Sequence, residues 1–95
     1  MIKIFIYTNE PDEWFDFIKK YIKGDYQKFG FSRERGSHTC LIKNDFISIL
    51  ISNHINRGER YDITLFDKEP SNNDPPIISS VIKKPNTIFT IGKLI

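Results

Sequence analysis

With 95 residues and a formal net charge of +2, the chain has material for a single compact domain spanning 1–95, and its charge alone implies neither a nucleic-acid nor a membrane partner. One cysteine excludes an intrachain disulfide framework and fits a reducing compartment. No charged-then-apolar leader opens the chain and no apolar run nears the ~20 residues of a membrane helix, so the expectation is a cytoplasmic protein without a membrane partner.

Composition carries a hint of origin. Ala is absent, Val occurs once, and Ile, Lys, Asn and Phe together supply 42 residues. All four have AT-rich codons, and AT-rich genomes are typical of phages, other viruses and low-GC bacteria.

Taken in order, Ile2 to Tyr7 (IKIFIY) predicts a strand apolar on both faces, hence an interior one. Thr8-Asn9-Glu10-Pro11 then signals a helix start, with a capping residue, a first-turn proline and acids at Glu10, Asp12 and Glu13. The helix should run over about 10–23 and stop at Gly24. Trp14, Phe15, Ile18, Tyr21 and Ile22 form its apolar stripe, and Asp16 and Lys20 are spaced for a surface ion pair.

Residues 24–38 (GDYQKFGFSRERGSH) carry three glycines and no sustained period, which predicts a long loop, with Phe29-Gly30-Phe31 as a short added strand. The segment 39–66 predicts a three-stranded antiparallel meander. A two-residue turn at Asn44-Asp45 would set Lys43 opposite Phe46 and Cys40 opposite Ile49. A three-residue turn at Asn56-Arg57-Gly58, with Gly58 left-handed, would set Ile51 opposite Ile63.

In that register Cys40, Ile42, Ile47, Ile49, Ile51, Tyr61, Ile63 and Leu65 share the core face. The other face is polar, interrupted by Leu41, Phe46, Leu50 and Phe66, which either the C-terminal segment 77–95 or a partner must cover. Residues 67–76 are turn chemistry. Pro75-Pro76 predicts a short helix over 77–84, and Thr87 to Ile91 a last strand. The fold class is therefore α+β: an antiparallel or mixed sheet of about five strands, including the 39–66 meander, with one main helix packed on one face.

Candidate chemistry is sparse. Between Lys19 and Lys43 seven Lys or Arg stand against two acids, interleaved with Tyr26, Phe29 and Phe31, as phosphate contact and base stacking would require. Cations at a helix C-terminus and aromatics pinning a loop account for the same residues. His38, Cys40 and His54 do not converge in the predicted register, so neither a metal site nor a Cys-His nucleophile is expected. A metal-dependent nuclease could draw on Asp62, Asp67 and Glu69 beside Lys68, but their spacing fits a solvated strand end better.

The expectation is a non-catalytic module, without cofactor or metal, that binds a macromolecule: a phage- or virus-encoded inhibitor of a host system, anti-CRISPR-like, acting on a host protein or nucleoprotein in the host cytoplasm. Its contacts would be Lys28, Arg33, Arg35, Arg57 and Arg60. Leu41, Phe46, Leu50 and Phe66 would form an interface with a partner or a second copy in a homodimer. Direct nucleic-acid binding through 24–38 and a metal-dependent nuclease are the alternatives.

Overall fold

The computed structural model describes residues 1–32, 37–55 and 58–83. It is an α+β fold in which one helix packs on one face of a six-stranded mixed sheet. The elements are β1 (Ile2–Tyr7), α1 (Pro11–Ile18), β2 (Asp25–Ser32), β3 (Ser37–Lys43), β4 (Ile47–Ser52), β5 (Arg60–Phe66) and β6 (Ile78–Lys83), and the sheet order is β2-β3-β4-β1-β5-β6. β1 pairs in parallel with β4 and β5, and β5 with β6; the β2-β3 and β3-β4 pairs are antiparallel. No described helix is long and apolar enough to cross a membrane.

The interior position expected of β1 is the one it takes, and this overturns the meander. Ile4 lies between Ile49 and Ile63, and Ile6 between Ile51 and Leu65, so β5 joins the sheet on the far side of β1, parallel to β4. A strand with Ile4 and Ile6 on one face and Phe5 and Tyr7 on the other gains most where both faces are covered. The seven-residue link 53–59 between β4 and β5 is short for a parallel crossover and carries no helix among its described residues. Ile55, 2 % exposed, does what a crossover helix would do, packing over Phe5, Tyr7 and Tyr61. Gly58 has φ +84°, the left-handed conformation expected of it, but inside a crossover and not a hairpin.

The β3-β4 hairpin forms, with its register moved by two residues: Cys40 faces Ile51, Ile42 faces Ile49 and Lys43 faces Ser48. The Asn44 side chain is the reason. Its Oδ1 accepts the N–H groups of Phe46 and Ile47 at 2.8 and 2.9 Å, an Asx turn that widens the loop. A shift of two preserves alternation, so Cys40, Ile42, Ile49 and Ile51 still share the helix side, buried with Ile6, Trp14, Phe15 and Ile18.

Tyr61 departs from the expected face. Its ring lies 4.8 Å from that of Phe5 in the second cluster. Pairing of β5 with β1 begins only at Ile4 and Ile63, and the N–H of Lys3 donates to the Asp62 carboxylate at 2.8 Å. Ahead of the ladder, the strand is released from strict alternation.

Three further boundaries differ. The helix ends at Ile18, after which Lys20 and Tyr21 donate to the carbonyls of Phe17 and Ile18, three residues back, a tightening common at helix ends. Glu10 is the N-cap without a side-chain cap bond; Thr8 Oγ1 instead accepts the Glu10 N–H. Lys19, not Lys20, pairs with Asp16, at 3.1 Å. The predicted loop 24–38 is largely strand β2, begun where Gly24 passes so close to Lys43 that a Cβ would collide with its carbonyl oxygen.

Residues 78–83 form β6 and not a helix, because the edge of β5 offers six β-capable residues a ladder of hydrogen bonds, and so short a helix is marginal. The predicted strand 87–91 lies outside the described residues.

Because Ile55 lies at the centre of the second cluster, Ile55→Ala should lower unfolding free energy by about 2–5 kcal/mol, measured by urea denaturation. A loss below about 1 kcal/mol would show that the link is not a structural cover.

Candidate functional site

Alternation along the strands places Lys3 of β1, Leu41 and Lys43 of β3, Ser48 and Leu50 of β4, and Asp25 and Gln27 of β2 on the sheet face away from α1. The link residue Ile55 covers this face over Phe5 and Tyr7. Toward β2 and toward the start of β5 and β6 it is concave.

Three adjoining depressions follow one another across it. One of about 390 Å³ lies among Asp25, Gln27, Leu41, Lys43 and Asp45. A second, of about 180 Å³, shares Leu41 and adds Lys3, Ser48, Leu50, Glu59 and Tyr61. The third, of about 530 Å³, shares Lys3 and Tyr61 and adds Arg60, Asp62 and Ser80.

The charges along this groove alternate and nearly cancel. Lys3, Lys43 and Arg60 stand against Asp25, Asp45, Glu59 and Asp62. Lys3 Nζ lies 3.5 Å from the Glu59 carboxylate and 5.7 Å from the centre of the Tyr61 ring. Among the described residues the Tyr61 hydroxyl is buried without a hydrogen-bond partner. Burial first, and then Glu59, pushes this phenol up to about 12.

Of the predicted contact residues, the two on described strands lie apart. Lys28 lies on β2, in register with Cys40, and Arg60 opens β5, four strand spacings or about 19 Å away across the sheet. Arg33, Arg35 and Arg57 lie outside the described residues. Tyr26, from the basic segment, donates its hydroxyl to the Ile22 carbonyl at 2.6 Å and meets the Phe15 ring edge-on, so its ring is held against the end of α1.

The predicted apolar set divides. Leu41 and Leu50 are direct cross-strand neighbours in the groove. Leu50 and Phe66 pack against the cluster of Phe5, Tyr7, Ile55 and Tyr61, joined by Ile77. Phe46 stands apart at the hairpin turn, 79 % exposed.

A second polar constellation sits at the carboxyl ends of β1, β4 and β5, where ligands of parallel sheets commonly bind. Asp67 Oδ2 accepts Trp14 Nε1–H and the Thr8 hydroxyl, both at 2.8 Å. Lys68 Nζ donates to Asn9 Oδ1 and the Asn53 carbonyl and lies 4.4 Å from the centre of the Tyr7 ring. The Tyr7 hydroxyl donates to Asp74 at 2.8 Å, as does the Ser71 N–H. These bonds satisfy the buried indole and tie the segment after β5 to the sheet, which is a structural latch. A buried Trp N–H needs an acceptor, and that requirement was the signal by which Asp67 was identifiable.

Asp62 lies within β5 and Asp67 just beyond its end, about 16 Å apart along the chain direction, too far to share a metal. Cys40 is fully buried in the core beneath α1, 3.8 Å from Asp12 Oδ1, while His54 is exposed on the link. No group of three or more His, Cys, Asp or Glu among the described residues could hold a metal ion. Comparison with protein families, curated proteins and solved structures finds no match to this chain.

Two outcomes follow from these geometries. Asp67→Ala leaves the Trp14 and Thr8 donors without their acceptor and should cost about 1–3 kcal/mol, read by denaturation with Trp14 fluorescence as probe; an unchanged midpoint would remove the latch. Tyr7, by burial first and then its bond to Asp74, is pushed up to about 12 like Tyr61. Since both folded values exceed the ordinary 10.0, the stability they confer is complete below pH 10 and lost as pH rises through about 12. Tyrosinate absorbance should therefore keep rising up to that pH, with one late step removed in Tyr7→Phe and one in Tyr61→Phe.

Proposed function

We propose that this protein is a non-catalytic binding module that takes another protein on the groove running from β2 to β6 across the sheet face away from α1. The observation that carries the reading is the charge balance along the groove. A surface for polyphosphate would present one sign of charge, whereas alternating charges around a half-buried pair such as Leu41 and Leu50 suit the polar rim and apolar centre of a protein interface.

Arg60, exposed beside Asp62 at the wider end, is the predicted contact residue that this surface includes. Leu41 and Leu50 are its predicted apolar contacts. The finer reading, a phage- or virus-encoded inhibitor acting on a host protein or nucleoprotein, is supported by the AT-rich composition alone.

Direct binding of nucleic acid has one observation in its favour, the excess of Lys and Arg between Lys19 and Lys43. It predicts an affinity for single-stranded or duplex oligonucleotides that falls steeply with salt.

The Leu41→Glu, Leu50→Glu double variant should lose retention of any protein partner captured by the native chain, by at least tenfold, with its melting temperature within a few degrees. Hydrogen exchange in the complex should slow at β3 and β4. Retention unchanged by the double variant would place the interface elsewhere, and capture abolished by nuclease treatment would favour the nucleic-acid reading.

A further inference from the structure

The outer edge of β6 has no strand partner among the described residues, and its side chains are exposed on both faces: Ile78 44 %, Val81 42 % and Ile82 48 %. The Ser79 hydroxyl reaches along the strand to the Val81 carbonyl at 2.9 Å, a local side-chain bond to the backbone. An edge of this kind, apolar and without a charge between Ile78 and Ile82, is a template for another strand.

We infer that β6 pairs antiparallel with β6 of a second copy about a two-fold axis through Ser80. Such an axis, perpendicular to the sheet, keeps each face on its own side, so directly opposed residues must share a face and their numbers must sum to an even value. Centring on Ser80 sets Ile78 opposite Ile82 of the second copy, twice by symmetry, with Ser80 facing its own counterpart and Ser79 facing Val81. Shifting the centre to Val81 pairs Ile82 with Ser80, and shifting it to Ser79 brings Ile82 against Pro76. Centres on Ile78 or Ile82 set one isoleucine against its own counterpart at the axis, whereas the Ser80 register forms two isoleucine pairs.

Charge permits the same register. Lys83 falls opposite Ile77 and meets no like charge, and Pro76, which lacks a backbone donor, ends the ladder. The product is a continuous twelve-stranded sheet with both copies of α1 on one side. The interface adjoins the wide end of the groove, which Ile78, Ser79 and Ser80 line, but it leaves out Leu41 and Leu50, so the Leu41→Glu, Leu50→Glu variant tests the groove without touching the dimer contact.

Sedimentation of the full chain should give a dimer, and Ile82→Lys a monomer with an unchanged circular dichroism spectrum. Ser80→Cys should form an interchain disulfide under mild oxidation, because directly opposed antiparallel residues sit about 4.5–5.5 Å apart at Cα, within disulfide reach. Ser79→Cys should cross-link at least tenfold less, and Cys40 is buried and offers no competing thiol. A monomer, its edge covered by some other part of the chain, would overturn the inference. So would a dimer in which Ser80→Cys does not cross-link, or in which Ser79→Cys does so equally well.

Discussion

Everything in this fold follows from the need to cover β1 on both sides. Ile4 and Ile6 face the helix, where Ile6 is buried with Trp14, Phe15 and Ile18, while Phe5 and Tyr7 face the other way and are buried with Ile55 and Tyr61. A central strand apolar on both faces demands two covers, and 95 residues supply only one helix among those described. The second cover is a link of seven residues, and its brevity leaves much of that face open among the described residues. The groove is thus a consequence of economy in the core, and a small chain turns the shortfall into a surface.

Asp67 and the residues around it serve the same end by other means. The indole of Trp14 is fully buried in the helix-side core, and its N–H must leave that core satisfied. Asp67, emerging from β5 beside the end of β1, meets it and Thr8 together. Lys68 and Asp74 then bind the chain that follows to Asn9, to the Asn53 carbonyl and to Tyr7. Holding Asp74 charged costs little, since the Ser71 N–H first, and then the Tyr7 hydroxyl, keep its carboxyl below the ordinary range. Asp62 and Asp67, which the sequence offers as carboxylates for a nuclease but better as a strand end, are here occupied in joining elements.

The functional reading turns on arrangement of charge more than on its sum. A basic stretch between Lys19 and Lys43 is plain in the sequence, but the fold spreads it over the helix end, β2 and β3, and sets Lys43 in register with Asp25. Tyr26, an aromatic of that stretch, is held by the carbonyls of Lys19 and Ile22, in the turn that follows α1. What lies together on the open face is instead an alternation of signs, with leucines between them.

Local chemistry determined much by itself: the interior character of β1, the start of α1 at a proline, the Asn44 turn, the left-handed Gly58, and the shared face of Cys40, Ile42, Ile49 and Ile51. That shared face is the same in the expected and the observed register, which differ by two residues, because alternation is blind to even shifts. The tertiary structure alone decided that β5 crosses β1 instead of folding back on β4, that residues 78–83 extend and do not coil, and that Tyr61 leaves the face of Ile63. The physical reason is common to all three. Strand pairing is won by competition among edges distant in sequence, and a short apolar segment carries no mark of which edge will take it.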